Sequence, residues 1–345
     1  MSTRIRIGVI GLGRIGWGFH CHQAASNRKF DLVAVADPLP ERLKEAEETF
    51  GCRGFRDPDE LLALPELDAV AVASPTHVHE KQTVAAFRKG LHVLLEKPMA
   101  MNLVEARAIV RAAKKHKRVL SVYQPHRCGA PLQHLLRILA TGKIGKVYHI
   151  RQGRFRYVQR DDWQSLTKYG GGMLNNYGAH ALDFILAVTG YDVRRVFGEL
   201  RRVLALGDAE DVVKVLYETA DGVLGEVDIN QASAIAPHHL QVWGTLGALT
   251  FMDGVFHLRY VKGGKLPKKK LNRKLASAGR LYPRDKITFV EKDIPLNARY
   301  AVDFYSNFAG AVQSGKELLV KPEQTLAVMT VMDRARKSAG KILKS

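Results

Sequence analysis

The feature that most constrains the fold is a glycine-rich turn between a short apolar strand and a helix near the N-terminus. Residues 4–10 form a β-branched, apolar run, and Gly11, Gly13 and Gly16 follow in the spacing G-x-G-x-x-G. The first glycine permits a tight turn, the second lets a pyrophosphate approach the backbone, and the third lets helix and strand pack closely. The helix N-terminus then offers unpaired N–H groups to the phosphates. The residues expected to contact a dinucleotide here are Gly11, Leu12, Gly13, Arg14 and Ile15.

An acidic residue stands where a dinucleotide site needs one. The second buried-strand pattern, Phe30–Ala36, ends at Asp37, which lies 21 residues beyond Gly16. A carboxylate there can accept hydrogen bonds from both ribose hydroxyls and would repel a 2′-phosphate, so NAD is favoured over NADP. Two alternatives stay open: a glycine-rich turn without a ligand, and an Asp37 that only caps the strand.

The chain predicts an α/β fold in two parts. Apolar strands alternate with helices as far as residue 123, which indicates an N-terminal Rossmann domain, a doubly wound parallel sheet. Beyond it, strand-like runs with a hairpin turn at Asp221–Gly222 indicate an α+β domain with a large, mostly antiparallel open sheet. We therefore expect domains at 1–123 and 124–345, with C-terminal helices able to pack back on the first.

Composition excludes several classes of protein. No apolar run reaches the ~20 residues of a membrane span, and the N-terminus lacks the apolar core of a signal peptide. The three cysteines are far apart and not in metal-binding spacing. These features predict a cytoplasmic protein with reduced thiols, no membrane association and no metal site.

Charge is concentrated in one segment. The net charge is +19, and residues 259–286 hold eleven Lys/Arg and one acid. Because this segment also carries glycines and prolines, we interpret it as a long, solvated basic loop. An anionic substrate, a neighbouring subunit or RNA remain alternatives, and a nucleic-acid partner is the least favoured.

Polar residues follow the third and fourth apolar strands of the first domain. In a doubly wound sheet, ligands bind beyond the carboxyl ends of the strands. The sequence there reads Ser-Pro-Thr after one strand, with a histidine three residues on, and Glu-Lys-Pro after the next. A lysine at such a turn can direct its ammonium into the cleft, although a surface lysine is the alternative. The candidates are Ser74, Pro75, Thr76, His79, Glu96 and Lys97.

A third segment, residues 170–183, begins with three consecutive glycines. On one helix, Asn176 and His180 share a face, and Asp183 is placed to approach His180. A neutral imidazole suits proton transfer from a hydroxyl near pH 7. A buried structural histidine is the alternative from this segment alone.

Together these motifs, in this order, resemble the Gfo/Idh/MocA oxidoreductases, a family of sugar and cyclitol dehydrogenases that includes relatives of inositol dehydrogenase and glucose–fructose oxidoreductase. The resemblance spans nearly the whole chain and includes an aromatic C-terminal helix at 300–308. It implies homodimers or homotetramers formed through the C-terminal sheet. It also implies that Lys97 lies near nicotinamide and substrate, that His180 is the acid/base, and that Arg127 and Trp163 contact substrate. We add Asn176 and Tyr177 as substrate contacts.

One residue departs from the family pattern. The family often has aspartate four residues before the histidine, whereas this chain has Asn176. Asparagine cannot take a proton, which weakens a Lys–Asp–His relay and leaves Lys97 and His180. The mechanism we expect is proton removal from a secondary alcohol by His180, assisted by Lys97, with hydride transfer to NAD.

Other functions remain compatible with the same fold. One is a glycosidase that oxidises its sugar only transiently on a bound NAD, and another is a non-catalytic protein that senses NAD. The particular sugar or polyol is open. Four arginines favour an acidic or phosphorylated sugar if they face the cleft, and are surface charges otherwise: Arg127, Arg154, Arg156 and Arg160.

Overall fold

The computed structural model describes residues 4–237, 239–273 and 285–344. None of the helices in these ranges combines the length and apolar character that a membrane crossing requires. Part of the expected basic loop, residues 274–284, lies outside the described residues.

The first sheet is a doubly wound parallel sheet, as predicted. In the described N-terminal part it has the strands β1 (Ile5–Ile10), β2 (Phe30–Ala36), β3 (Arg53–Phe55), β4 (Ala69–Val72), β5 (His92–Leu95) and β6 (Leu120–Val122), in the order β3-β2-β1-β4-β5-β6. The α-helices of this part are α1 (His22–Ser26), α2 (Pro40–Phe50), α3 (Pro58–Leu62), α4 (His79–Arg88) and α5 (Leu103–His116). The winding direction changes between β1 and β4, so ligands are expected beyond the carboxyl ends of these two strands.

Local sequence chemistry explains several helix boundaries. The Asn102 side chain accepts a hydrogen bond from the Glu105 backbone N–H at 3.0 Å, which caps the start of α5. Gly51 ends α2 in the left-handed conformation, with φ of 67°, where a side chain would be strained. The helix expected after the glycine-rich turn is only partly α-helical, because Gly16–Cys21 is a π-helical turn and only His22–Ser26 is α-helical.

The second sheet is large and mostly antiparallel, again as predicted. Its described strands are β7 (Val147–Phe155), β8 (Val193–Arg202), β9 (Val212–Thr219), β10 (Leu224–Asn230), β11 (Leu240–Gly244), β12 (Gly247–Met252), β13 (Val255–Val261), β14 (Phe289–Pro295) and β15 (Leu343–Lys344). Their order is β14-β13-β12-β11-β7-β10-β9-β8-β15, and the β7–β10 and β8–β15 pairs are parallel.

Helices that follow β6 in the chain link the two sheets. They are α6 (Pro125–Cys128), α7 (Ala130–Ala140), α8 (Ala179–Thr189), α9 (Phe304–Ser314) and α10 (Pro322–Ala339). Helix α8 packs on β7 and β10, while α10 contacts β8, α8 and α5. Phe304, Tyr305 and Phe308 of α9 are buried in one cluster with side chains of β1. The C-terminal helices therefore pack against both sheets.

Two expected boundaries need correction. The expected basic loop at 259–286 begins inside β13, because Arg259 pairs with Glu291 of β14 across the sheet at 3.2 Å. The aromatic helix expected at 300–308 begins at Phe304, after a 3-10 turn over Ala298–Tyr300. A strand pairing distant in sequence sets the first boundary, whereas α9 is capped locally, because the Asp303 side chain accepts the Ser306 N–H.

Candidate active site

The glycine-rich turn is packed as a dinucleotide turn requires. Gly11 has a φ of 90°, and a Cβ on it would lie 2.7 Å from the Ser74 backbone nitrogen. A Cβ on Gly16 would lie 1.7 Å from the carbonyl oxygen of Gly11, so helix and turn can approach only without one. Above Gly13, by contrast, a Cβ would meet no atom within 4 Å. The turn is thus tight where it meets the sheet and open where a pyrophosphate would approach.

Asp37 lies at the carboxyl end of β2 and faces this turn. Its Oδ2 accepts the Leu12 backbone N–H at 2.7 Å and an Arg42 N–H at 3.3 Å, while Oδ1 accepts the Leu39 N–H at 3.1 Å. A carboxylate has about four acceptor sites, so capacity remains for ribose hydroxyls. The Asp37 carboxylate therefore holds the turn in place and keeps acceptor sites that suit ribose hydroxyls.

The turn after β4 is held from behind by His79. Its Nε2 lies 2.8 Å from the Ser74 carbonyl oxygen and its Nδ1 lies 3.0 Å from that of Pro98. Burial lowers the pKa of His79, while the two carbonyl oxygens oppose that shift. A neutral ring donates to one of the two oxygens, and a protonated ring donates to both. His79 thus joins the turns after β4 and β5 from the interior. Pro75 precedes a 3-10 turn that begins at the buried Thr76.

Glu96 is directed inward. Its Oε1 lies 3.0 Å from His20 Nε2, and the other ring nitrogen of His20 lies 2.8 Å from the Tyr305 hydroxyl. The second carboxylate oxygen accepts the Lys97 backbone N–H at 3.0 Å. This buried chain ties the turn that carries Lys97 to helix α9.

Lys97 crosses the cleft to the second half of the chain. Its Nζ donates to the backbone oxygen of Asn176 at 2.9 Å and lies 3.4 Å from its Oδ1. Asn176 lies in a π-helical turn, Leu174–Gly178, which directly precedes α8, so it is not on one regular α-helix with His180 as expected. Burial lowers the pKa of Lys97, and the Glu96 carboxylate opposes that shift. Two neutral oxygens therefore position the ammonium.

His180 is buried, and its hydrogen-bond partner defines its tautomer. Its Nδ1 lies 3.1 Å from the Gln124 Oε1, and an amide oxygen only accepts, so Nδ1 carries the proton and Nε2 a lone pair. The His126 ring stacks on it at 4.6 Å between centroids. Burial, followed by the Lys97 charge, lowers the pKa of His180 well below its usual range. The pKa of His126 falls to about 4, chiefly through burial.

Two sequence expectations fail at the next turn of α8. Asp183 does not serve His180: both of its oxygens accept hydrogen bonds from Arg127, and both side chains are buried. Arg127 also donates to the Leu319 carbonyl oxygen at 3.2 Å and to Gln324 at 2.9 Å. Its guanidinium is thus directed into the protein, away from the residues that line the cleft.

The cleft beside Lys97 and His180 has a volume of about 500 Å³. Tyr177 and Asn176 line it, whereas Trp163 lies outside its lining in a partly exposed 3-10 turn. Asp162 anchors its rim, because it pairs with Arg160 at 2.7 Å and with Arg14 of the glycine-rich turn at 2.8 Å.

Sequence reasoning missed three residues of this site. Gln124 and His126 follow β6, so the rule that identified Ser74 and Lys97 would also have found them. Gln164 had no such indication: it lies in the same 3-10 turn as Trp163, yet its Oε1 accepts hydrogen bonds from both Arg160 and Asn176.

Comparison with known proteins agrees with this geometry. Residues 5–124 match the family described as "Oxidoreductase family, NAD-binding Rossmann fold", and residues 132–250 match the "GFO/IDH/MocA C-terminal domain". The chain belongs to the GFO/IDH/MocA oxidoreductases. The family resemblance, the fold class and the assignment as an oxidoreductase are therefore confirmed.

Several relatives have named activities. Myo-inositol 2-dehydrogenase of Thermotoga maritima is 29% identical over 73% of this chain and 76% of its own length. D-glucoside 3-dehydrogenase of Escherichia coli K12 is 27% identical over 68% of this chain and 69% of its own. The solved structure of GenD2 from gentamicin A biosynthesis, in complex with NAD, is 25% identical, with a TM-score of 0.78, over 98% of this chain and 95% of its own.

Proposed function

We propose that this oxidoreductase is an NAD-dependent dehydrogenase that acts on a secondary alcohol of a sugar, a cyclitol or a sugar derivative. The observation that carries the proposal is the meeting of Lys97 and the segment of Asn176 and His180 across the cleft, beyond the carboxyl ends of the parallel strands. The named activities of the inositol and glucoside dehydrogenases support the substrate class.

The chain's own residues divide the proton chemistry. His180 takes the hydroxyl proton on Nε2, because its Nδ1–H is held by Gln124. The Lys97 ammonium, positioned by Asn176, donates a hydrogen bond to the same substrate oxygen and stabilises the negative charge that develops there. Bound NAD supplies the acceptor for the hydride that leaves the same carbon. A ketone, NADH and a protonated His180 result.

The choice of NAD over NADP rests on Asp37. Its buried carboxylate stands at the end of β2, where it would accept the ribose hydroxyls and repel a 2′-phosphate. The glycine-rich turn would hold the pyrophosphate through the N–H groups of residues 13–15, with Ser74, Pro75 and Thr76 on the other side of the crevice.

The test is a substitution of Lys97 in a chain that still binds cofactor. Lys97→Met should leave NADH binding intact and lower turnover of an active polyol by about 100-fold or more, the usual scale of an acid/base contribution. Lys81→Met, on the exposed side of α4, is the matched control and should change nothing. Unchanged turnover in Lys97→Met would refute the assignment. Net NADH formation by the wild type would argue against both alternatives, the glycosidase and the non-catalytic NAD sensor. Cleavage of an aryl glycoside without net NADH formation would favour the glycosidase.

We also propose that two or four copies assemble through the open face of the second sheet. Phe197 of β8 pairs with Leu216 of β9, and Leu224 of β10 lies on the same face; all three are exposed on the side away from α8. Such apolar exposure on a sheet favours a partner. Phe197→Asp should dissociate the assembly in light scattering, and an unchanged mass would refute the interface.

The compartment we propose is the cytoplasm. Cys21, Cys52 and Cys128 are all free and buried, and burial raises the pKa of each thiol, to about 11 or 12. Such thiols suit a reducing environment. Fractionation of cells that express the full chain tests this, and recovery outside the cytoplasmic fraction would contradict it.

A further inference from the structure

The cleft holds more positive charge than its own acids neutralise. Its lining includes four arginines and two aspartates: Arg14, Arg154, Arg156, Arg160, Asp161 and Asp162. Lys97 lies directly behind it, at Asn176.

Asp162 is already engaged by two of the four arginines. Arg160 binds it through two nitrogens, at 2.7 and 3.1 Å, and Arg14 binds it at 2.8 Å. The hydrogen bond from Arg160 is the main reason that the pKa of Asp162 falls to about 2, so this carboxylate is ionised and its charge is shared. Arg154 and Arg156 are left for another partner.

Arg154 lies at the reacting end of the cleft. It is in β7, and its guanidinium lies 4.2 Å from the centroid of the Tyr177 ring. Among the described residues, no carboxylate lies within 4.0 Å of it. Arg154 and His180 line the same cleft, and the Arg154 charge adds to burial in lowering the pKa of both Lys97 and His180.

Arg156 extends the same positive surface. It follows β7 directly and is two residues from Arg154, so strand alternation directs both side chains to one side. Both line the cleft, and Arg156 is the more exposed of the two. The pair therefore runs from the reacting centre toward solvent.

A cluster of cations around a polar cleft is unfavourable unless an anion joins it. Oxidised NAD would add a positive nicotinamide ring, and its pyrophosphate belongs at the glycine-rich turn. A substrate that carries a negative charge would therefore complement this cleft. The planar guanidinium matches both carboxylate and phosphate oxygens through two parallel hydrogen bonds.

We propose that the substrate is an anionic polyhydroxy compound whose carboxylate or phosphate binds Arg154, with Arg156 at its outer side, while a hydroxyl faces His180. Arg154 is then a residue that determines specificity, and Tyr177 holds its guanidinium plane in place. This inference rests on the proposed dehydrogenase function and narrows its substrate class.

The test uses matched compounds that differ in one terminal group, which is a neutral hydroxymethyl, a carboxylate or a phosphate ester. D-glucitol, D-gluconate and D-glucitol 6-phosphate share one carbon chain; D-glucose, D-glucuronate and D-glucose 6-phosphate form a second set. Binding to the NADH complex of the full chain is followed by nicotinamide fluorescence, and turnover with NAD by absorbance. We expect an anionic member to exceed its neutral partner by about 100-fold in affinity or kcat/KM. The better of carboxylate and phosphate identifies the group.

Variants then assign the effect to one side chain. Arg154→Gln should lose the preference for the anion mainly through KM, while NADH binding and thermal stability stay as in the wild type. Arg154→Lys should retain part of the preference for the anion, because the lysine keeps the positive charge but lacks the two parallel N–H groups of the guanidinium. Arg111→Gln, exposed on α5, is the control and should keep the full preference.

The outcomes separate this inference from the function on which it rests. Neutral members that bind or react as well as the anions, absence of saturable anion binding, or an Arg154→Gln variant with full preference would each overturn it. Anion binding that depends on Arg154 without NADH formation from any compound would support the anion site and refute the dehydrogenase function.

Discussion

Replacing Arg127 separates a structural role from a substrate role. Arg127 is 4% exposed, and its guanidinium joins its own helix α6 to α8, through Asp183, and to α10 and the residues just before it, through Gln324 and Leu319. Arg127→Met leaves the fully buried Asp183 without a cation. Removing one partner of a buried ion pair costs about 3–5 kcal/mol of unfolding free energy. At ~0.7 kcal/mol/K of unfolding entropy for a chain of this length, that is a loss of ~4–7 °C in Tm.

The assay combines thermal unfolding with kinetics at a temperature where both proteins are folded. We expect the lower Tm together with a kcat/KM within a few-fold of the wild type. The double variant Arg127→Met, Asp183→Leu should regain much of the stability, because two apolar side chains replace the pair without leaving a buried charge. An unchanged Tm with a strongly raised KM would refute the structural role and return Arg127 to the substrate site.

Three further predictions concern the cofactor preference, the backbone at Gly172 and the proposed base, His180. Asp37→Ser should raise the KM for NAD by about 10-fold or more and lower the KM for NADP, because Arg42 is then free to bind a 2′-phosphate. The measurement is parallel steady-state kinetics with both cofactors, and an unchanged preference for NAD would contradict the prediction. Gly172→Ala should lower the unfolding free energy by about 1–3 kcal/mol, because φ is 99° and the new Cβ would lie 2.4 Å from the Glu210 carboxylate. Urea titration measures this loss, and a variant as stable as the wild type would refute the prediction. Since burial lowers the pKa of His180, the base stays neutral as the pH falls below ~6.5, and the acid limb of kcat/KM should lie below that value. A limb at or above it in a pH–rate profile would exclude His180 as the base.

Local patterns predicted the parts of the fold that local chemistry decides. The glycine spacing acts within a few residues and appears as expected, and the Asn102 cap and the Gly51 terminator are equally local. The π-helical turn at Gly16–Cys21 was not predicted, because the sequence pattern there is that of an ordinary helix. The start of the basic segment was also missed, since Arg259 is held in β13 by a strand some thirty residues away.

The candidate site shows the same division. Residues at strand ends were found because parallel strands bring their carboxyl ends to one edge. Helix spacing correctly brought Asn176 and His180 together, but it wrongly gave Asp183 to the histidine. Spacing shows only which neighbours are within reach on one helix. It does not show that Arg127, from another helix, offers a stronger partner to the same carboxylate.

The asparagine that departs from the family pattern is explained by position rather than charge. Asn176 presents its backbone oxygen and its Oδ1 to Lys97, and its amide nitrogen lies 3.3 Å from the Gln164 Oε1. An aspartate would fix the same ammonium but would also neutralise it. With asparagine, the positive charge of Lys97 stays available to a substrate oxygen and adds to that of Arg154. The asparagine and the unpaired arginine therefore favour the same ligand, one that brings its own negative charge into the cleft.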